Sequence, residues 1–264
     1  MRLKDRVAII VGGGQTPGET IGNGRATALL FAREGAKVFV VDNRLESAED
    51  TVKQITDEGG QACAFAADVT LEPMVEAMVS ACHERYGRID ILHNNVGRSK
   101  GDAPTVELTL EHWSEIQTLN LTSYFLACKH TLPIMREQQS GNIINISSIA
   151  SLCSGQTLAY KTSKAAVNAM TQNLALENAR YGVRVNAILP GLMDTPMAIE
   201  RRAAERNVER AVVREERDRQ VPLGRQMGSG WDVGQAAVFL ASDEAQFITG
   251  VCLPVDGGHS ARIG

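Results

Sequence analysis

No apolar run in the 264-residue chain approaches the roughly 20 residues that a membrane-spanning helix needs. The opening Met1 to Arg6 leads straight into a short strand-like run, without the charged and then apolar layout of a secretory signal. A cytoplasmic protein with no membrane partner is therefore expected. Positive charge is not in excess either: 27 Lys and Arg against 31 Asp and Glu leave a net charge of -4. Affinity for a phosphate backbone rests on clustered cations, so nucleic acid is not an expected partner. The five cysteines, Cys63, Cys82, Cys128, Cys153 and Cys252, are odd in number and scattered, with no C-x-x-C pair. That argues against a zinc or dithiol redox site, and no metal is expected. Cys153, the one nearest the chemistry-bearing residues below, reads as a small packing residue. Internal repeats and low-complexity linkers are also lacking, so one domain spanning 1–264 is expected.

What is present is a chain with 44% apolar and 22% charged residues, enough to bury a large core. Short runs rich in β-branched residues alternate with longer amphipathic segments. The runs Val7–Val11, Lys37–Val41, Ala62–Ala67, Ile89–His93, Asn142–Ile146, Arg184–Leu189 and Val251–Val255 read as strands. Helices are predicted over Gly24–Glu34, Ser47–Glu58, Glu72–Tyr86, His112–Arg136, Ala159–Tyr181 and Trp231–Ser242. This alternation, with nearly continuous hydrophobicity in the strands, predicts an α/β fold: a Rossmann-type, doubly wound, parallel seven-stranded sheet with helices on both faces. Ligands of such sheets bind beyond the carboxyl ends of the strands.

Three patterns sit at those ends. Gly12-Gly13-Gly14-Gln15-Thr16-Pro17-Gly18-Glu19-Thr20-Ile21-Gly22-Asn23-Gly24 joins the first strand to the first helix, where backbone N–H groups can approach a pyrophosphate. Two alignments are open, with Gly12 or Gly18 as the tight-turn glycine. The strand ends at Val11 and must turn at once, which favours Gly12 and makes Thr16–Ile21 an insertion ahead of Gly22, Asn23 and Gly24. Pro17-Gly18 would then project with Glu19 pointing away from the phosphates, as an inert bulge or as a rim to the cofactor entrance. Asp42 ends the second strand, where its carboxylate can accept from ribose hydroxyls and repel a 2′-phosphate; this favours NAD, against a dissenting Arg44. Tyr160 and Lys164, one helical turn apart after Ser147-Ser148, form an acid/base pair in which the ammonium is expected to lower the phenol pKa.

Together these residues resemble the single-domain short-chain dehydrogenase/reductase family over nearly the whole chain. Asp68-Val69, Asn94-Asn95-Val96-Gly97, Asn120, Pro190-Gly191, Thr195 and Asp256-Gly257-Gly258 continue the resemblance in order. It implies a catalytic tetrad of Asn120, Ser148, Tyr160 and Lys164, with Tyr160 as general acid/base, Ser148 on the substrate oxygen, Lys164 on the nicotinamide ribose and Asn120 holding a relay water. It further implies that Asp68 and Val69 contact adenine, that Asn95 and Gly97 line the adenosine side, and that Pro190, Gly191 and Thr195 lie against the nicotinamide or pyrophosphate. A homotetramer through the two longest helices is implied as well. Three features depart from the family pattern: Val96 replaces an alanine, the Ser148-to-Tyr160 spacing leaves Ser147 as an alternative catalytic serine, and the glycine loop is about six residues long beyond the family's G-x-x-x-G-x-G.

The implied reaction is hydride transfer between NAD(H) and a small secondary alcohol or ketone. A 3-oxoacyl thioester reductase is the alternative, followed by a non-catalytic cofactor sensor. Segment 192–224 is expected to be a substrate lid. Within it, an apolar stripe of Ala204, Val208, Ala211 and Val212 would cover the ligands, while Arg202, Arg206, Arg210 and Arg214 face solvent or glutamates, or instead meet an anionic substrate. His83, His112 and His130, with Trp113 and Trp231, read as structural, and His93 as a strand-end packing residue.

Overall fold

The computed structural model describes residues 1–153 and 157–262, so the expected domain of 1–264 is described except for 154–156 and 263–264. Seven parallel strands form one sheet: β1 (Val7–Val11), β2 (Lys37–Asp42), β3 (Gln61–Ala66), β4 (Ile91–Asn94), β5 (Gly141–Ile146), β6 (Val183–Pro190) and, last in the chain, β9 (Cys252–Val255). Their order, β3-β2-β1-β4-β5-β6-β9, reverses direction between β1 and β4, and a crevice opens there at the strands' carboxyl ends.

Side-chain alternation along β1 sorts the core into two layers. Ala8 and Ile10 pack with α1 (Asn23–Arg33), α2 (Leu45–Asp57) and α9 (Gly230–Ala241). Val7, Ile9 and Val11 face the other way, toward α3 (Glu72–Tyr86), α5 (Ser123–Glu137) and α6 (Leu158–Asn178). Each strand is apolar on both faces because each face is covered.

The structure departs from the sequence expectation in three places. The helix expected over His112–Arg136 starts earlier, as α4 (Leu110–Gln117), and is interrupted by a π-turn at Thr118–Thr122 before α5. Residues 196–218 form two helices, α7 (Pro196–Arg206) and α8 (Arg210–Asp218), because Asn207 adopts left-handed φ of 50° and ends the first. Finally, β7 (Met193–Asp194) and β8 (Gly228–Ser229) pair as a small parallel sheet that ties the two ends of this excursion together.

His93 lies within the sheet, edge-on to Phe31 with ring centroids 6.3 Å apart, and both ring nitrogens are buried without a partner among the described residues. Burial pushes its pKa down to about 3. The unfolded chain therefore takes up this proton first, and stability falls as pH drops below the ordinary histidine value. His93→Leu forfeits no hydrogen bond. It should match the parent near pH 8 and exceed it by about 2–3 kcal/mol at pH 4.5 in chemical denaturation. Parallel pH profiles for the two proteins would refute this.

Candidate active site

The first strand turns at Gly12, whose φ of 77° suits glycine, and the N–H groups of Gly12 and Gly13 both donate to Val41 O, at 2.8 and 2.9 Å. Asn95 braces the turn from the neighbouring strand, its Nδ2 donating to Gly12 O at 3.1 Å. Helix α1 begins against this turn: a Cβ on Gly24 would stand 1.9 Å from Gly12 O, whereas one on Gly22 would meet only Gln15, at 3.9 Å. Gly12 thus takes the tight-turn place that the sequence favoured. The insertion is braced from within and against α7 and α8. Gln15 closes it, accepting from Gly22 N at 2.9 Å and donating to Thr20 O at 3.2 Å. Its tip docks on α7 and α8: Gly18 leaves no room for a Cβ against Pro196 and Glu200, and Glu19 pairs with Arg210 at 2.5 Å.

A cleft of about 1150 Å³ runs from this turn across the strand ends, above the size usual for a drug-like ligand and ample for a dinucleotide with its substrate. Gly12, Gly22, Asn23, Gly24, Asp42, Asp68, Val69, Asn95, Gly97, Pro190, Gly191 and Thr195 all line it. At its far left wall, Asp42 accepts from Gly14 N at 3.2 Å and Arg44 N at 3.1 Å, while the Arg44 guanidinium turns back to Gln15 O at 3.0 Å. Asp68 is engaged with Thr70, at 3.0 Å to N and 2.6 Å to Oγ1. Asn23 Oδ1 is buried with no partner among the described residues, and the Thr195 hydroxyl makes no capping bond although Thr195 begins α7. A glycine-lined turn at a helix start, a carboxylate at the second strand end and these uncommitted polar groups fit a nicotinamide dinucleotide.

At the other end, α6 presents Tyr160 and Lys164 to the cleft. Three consecutive backbone N–H groups of its first turn, from Leu158, Ala159 and Tyr160, donate to the Asp102 carboxylate at 3.1, 3.0 and 2.8 Å. This remote cap fixes the entry of the catalytic helix and complements its positive end. The role of Asp102 was not legible in the sequence, because the capping acid lies more than fifty residues upstream. Gln117 adds a tie from α4, donating to Ala159 O and Thr162 Oγ1, both at 3.1 Å.

Lys164 is buried; its Nζ donates to Ile146 O at 2.8 Å and to Tyr124 Oη at 3.4 Å, and it lies 5.9 Å from the Tyr160 ring centroid. Gly97 makes room for it, since a Cβ there would stand 2.9 Å from Nζ. Burial pushes the Lys164 pKa down to about 7. The Tyr160 pKa is likewise displaced upward by burial, against lowering contributions from a Ser148 hydrogen bond and the Arg202 and Arg201 charges. The expected lowering of the phenol by Lys164 is therefore corrected: desolvation dominates, and the groups that offset it are Ser148 and two arginines of the lid. Asn120 sits in the π-turn, accepting from Arg98 N at 2.9 Å and donating to Arg98 O at 3.0 Å and Ser163 Oγ at 3.1 Å, so its side chain is spent on architecture.

The two serines part company. Ser147 Oγ is buried and donates to Lys164 O at 2.9 Å, pinning β5 to α6, whereas Ser148 lines the cleft with Tyr160, its Oγ accepting from Ala150 N at 3.1 Å. Ser148→Ala should cost about tenfold to a hundredfold in kcat with melting unchanged, and Ser147→Ala should act mainly on stability, by about 1 kcal/mol. Equal losses of kcat in both variants would contradict the division.

Side chains of the segment expected to be a lid are arranged differently from the sequence reading. Ala204, Ala211 and Val212 are exposed and Val208 is partly so; the buried face consists of Ile199, Ala203 and Val213, which close a small separate core with Val221 and Met227. Arg206, Arg210 and Arg214 pair with Glu216, Glu200 and Asp194, but Arg202 turns into the cleft, joined by Arg201, Arg217 and His259, which the sequence reading did not single out. The break at Asn207 rotates α8 relative to α7, so a stripe drawn on one continuous helix selects the wrong face.

Residues 19–260 match the family described as enoyl-(acyl carrier protein) reductase. The chain is 39% identical to a crystal structure assigned to a short-chain dehydrogenase/reductase from Burkholderia xenovorans, with a TM-score of 0.91 over 100% of this chain and 99% of that one. It is 36% identical to levodione reductase of Leifsonia aquatica, over 98% of this chain and 96% of the relative. It is 37% identical to a 3-oxoacyl-(acyl-carrier-protein) reductase of Thermotoga maritima, over 98% and 99%. With a seven-stranded Rossmann-type sheet, a glycine turn at its switch point and a Tyr/Lys pair facing one cleft, the chain belongs to the short-chain dehydrogenase/reductase family, oxidoreductases acting on secondary alcohols and ketones.

Proposed function

We propose that the protein is an NAD(H)-dependent dehydrogenase or reductase of a small secondary alcohol or ketone, with Tyr160 as general acid/base. The observation that carries this reading is that Tyr160 and Ser148 line the same cleft as buried Lys164 and the glycine turn. Tyr160 Oη holds the proton given to or taken from the substrate oxygen, and Ser148 orients that oxygen. Lys164 secures the ribose beside Tyr160, and Asn120 holds a water that passes the proton on. Gly12, Gly22, Asn23 and Gly24 would carry the pyrophosphate, Asp42 the adenosine ribose, Asp68, Val69 and Asn95 the adenine side, and Pro190, Gly191 and Thr195 the nicotinamide side, with Gly97 against the cofactor beside Lys164. Bound NAD(H) would supply the hydride acceptor or donor.

Asp42 supports NAD over NADP because its carboxylate faces the place of a 2′-phosphate, and Arg44 is committed to Gln15 O. Asp42→Ala should raise the Kd for NAD about tenfold and bring NADP within reach. The reading is tested by steady-state NAD+ and NADP+ reduction with a panel of secondary alcohols, sugars and hydroxysteroids. Activity with NAD+ supports it; exclusive use of NADPH with an acetoacetyl thioester would replace it with the thioester-reductase reading that the Thermotoga maritima relative's name suggests.

Two supporting proposals concern context. Phe125 on α5 and Leu176 on α6 are exposed apolar side chains, 52% and 82% accessible, on the helices expected to assemble a homotetramer; light scattering at micromolar concentration tests it. No described helix is long and apolar enough to cross a membrane, which is compatible with a cytoplasmic location.

A further inference from the structure

The lid sorts its arginines by partner. On the outer side, Arg206 meets Glu216 at 2.6 Å, Arg210 meets Glu19 and Glu200 at 2.5 and 2.8 Å, and Arg214 meets Asp194 at 2.8 Å. On the cleft side the pattern reverses. Among the described residues no carboxylate lies within 4.0 Å of Arg202 or Arg217, and Arg201 reaches only Glu205, at 3.8 Å. Their remaining contacts are weak for guanidinium groups. Arg202 donates to Ala198 O on its own helix at 3.1 Å, Arg217 Nε points at Met227 Sδ at 3.4 Å, and Arg201 Nη2 reaches Ser99 Oγ at 3.3 Å while its Nε is buried without an acceptor.

All three line the cleft. Arg202 and Arg201 are near enough to Tyr160 for their charges to act on its phenol, so the cluster stands at the reacting end and not beside the glycine turn. Burial and the neighbouring Arg202 charge push Arg217 down to about 10, and burial followed by Arg201 lowers Arg202. Three cations held together in a partly buried wall repel one another, and an unpaired buried charge is costly. The lid nonetheless contains enough glutamates to pair them, and spends those on its outer face. The missing anion must arrive with the ligand.

We propose that Arg201, Arg202 and Arg217 bind an oxyanion carried by the substrate, so that the enzyme acts on hydroxy or oxo carboxylates. This rests on the alcohol/ketone reading above and specifies its substrate class. A carboxylate suits the wall because its two oxygens match the fork of one guanidinium while leaving lone pairs for a second. Holding it at the lid orients the carbinol carbon toward Tyr160 and Ser148, and neutralising the cluster ties lid position to substrate arrival.

The test uses matched pairs: 3-hydroxybutyrate and 4-hydroxycyclohexanecarboxylate against their carboxamides, with a neutral secondary alcohol and a hydroxyalkyl phosphate alongside. The carboxylate is expected to exceed its amide in kcat/KM by about tenfold or more, the difference lying mainly in KM. Arg202→Gln and Arg217→Gln should each bring that ratio close to one, while Arg206→Gln, on the outer face, keeps it. NAD affinity is measured in all three variants by fluorescence titration. Equal use of carboxylate and amide in every pair, a ratio that survives both cleft-side variants, or a loss of NAD affinity without a change of ratio would each overturn the proposal. Preference for the phosphate over the carboxylate would overturn the carboxylate assignment. Turnover of the neutral alcohol alone defeats this proposal and leaves the dehydrogenase reading standing; no hydride transfer with any compound defeats both.

Discussion

Tyr160→Phe is expected to lower kcat by about 10²–10⁴-fold while leaving NAD affinity and thermal stability within about a factor of two and 1 kcal/mol of the parent. The substitution removes a single hydroxyl from a side chain whose ring still fills its place beside Lys164, 5.9 Å from Nζ. Ser148, which shares the cleft, keeps the bond its Oγ accepts from Ala150 N at 3.1 Å, so the change does not leave that hydroxyl without a partner. What disappears is the only described phenol in the cleft able to exchange a proton with a substrate oxygen; Tyr124 faces Val96 O and Ile146 O inside the protein instead. Single-turnover kinetics and an NAD titration separate the two effects. More than about a tenth of parental kcat in the variant would remove Tyr160 from the acid/base role.

Gly24→Ala should disable the cofactor turn for a steric reason. The added methyl would lie 1.9 Å from Gly12 O and 2.7 Å from Asn95 Nδ2, and neither is a free side-chain end: one is backbone and the other braces it. Helix α1 must move off the first strand, with a loss of about 1–3 kcal/mol of stability and at least about tenfold in NAD affinity. Gly22→Ala is the informative partner. Its methyl meets only Gln15 at 3.9 Å and its φ of -77° suits any residue, so folding should be untouched. Affinity should still fall, because the pyrophosphate needs the backbone surface that the methyl would cover. A melting curve and an NAD titration on each variant give the contrast; a Gly24→Ala protein as stable and as tight-binding as the parent would contradict the packing argument.

The sheet was legible because its signals are local: each strand is a β-branched run bounded by turn residues, and burial on both faces makes those runs continuous. The glycine turn was legible for the same reason, since a chain leaving Val11 has to reverse within a residue or two. What escaped depends on distance in sequence or on a single backbone angle. Asp102 caps a helix that begins at Leu158, and no local pattern joins them. The π-turn around Asn120 adds one residue to a helical period without any breaker to mark it. Asn207 in the left-handed region divides 196–218 into two helices, so one apolar stripe cannot run through both, and no local signal marks Arg202 as lining the cleft. Ser147 and Ser148 could not be told apart by spacing, because their difference lies in which side of the β5 end each hydroxyl points to.

In the proposed reaction the carbinol hydrogen leaves as hydride to the nicotinamide while Tyr160 handles the proton. Its most direct test follows deuterium from a secondary alcohol labelled at the carbinol carbon, using the best alcohol from the substrate panel, into added NAD+ by mass spectrometry and NMR. One deuterium per turnover is expected on the nicotinamide ring with the parent protein, and label transfer slowed about 10²–10⁴-fold in Tyr160→Phe with NAD still bound. Oxidation of the alcohol with the label lost to solvent, or label transfer at the same rate in both proteins, would contradict it.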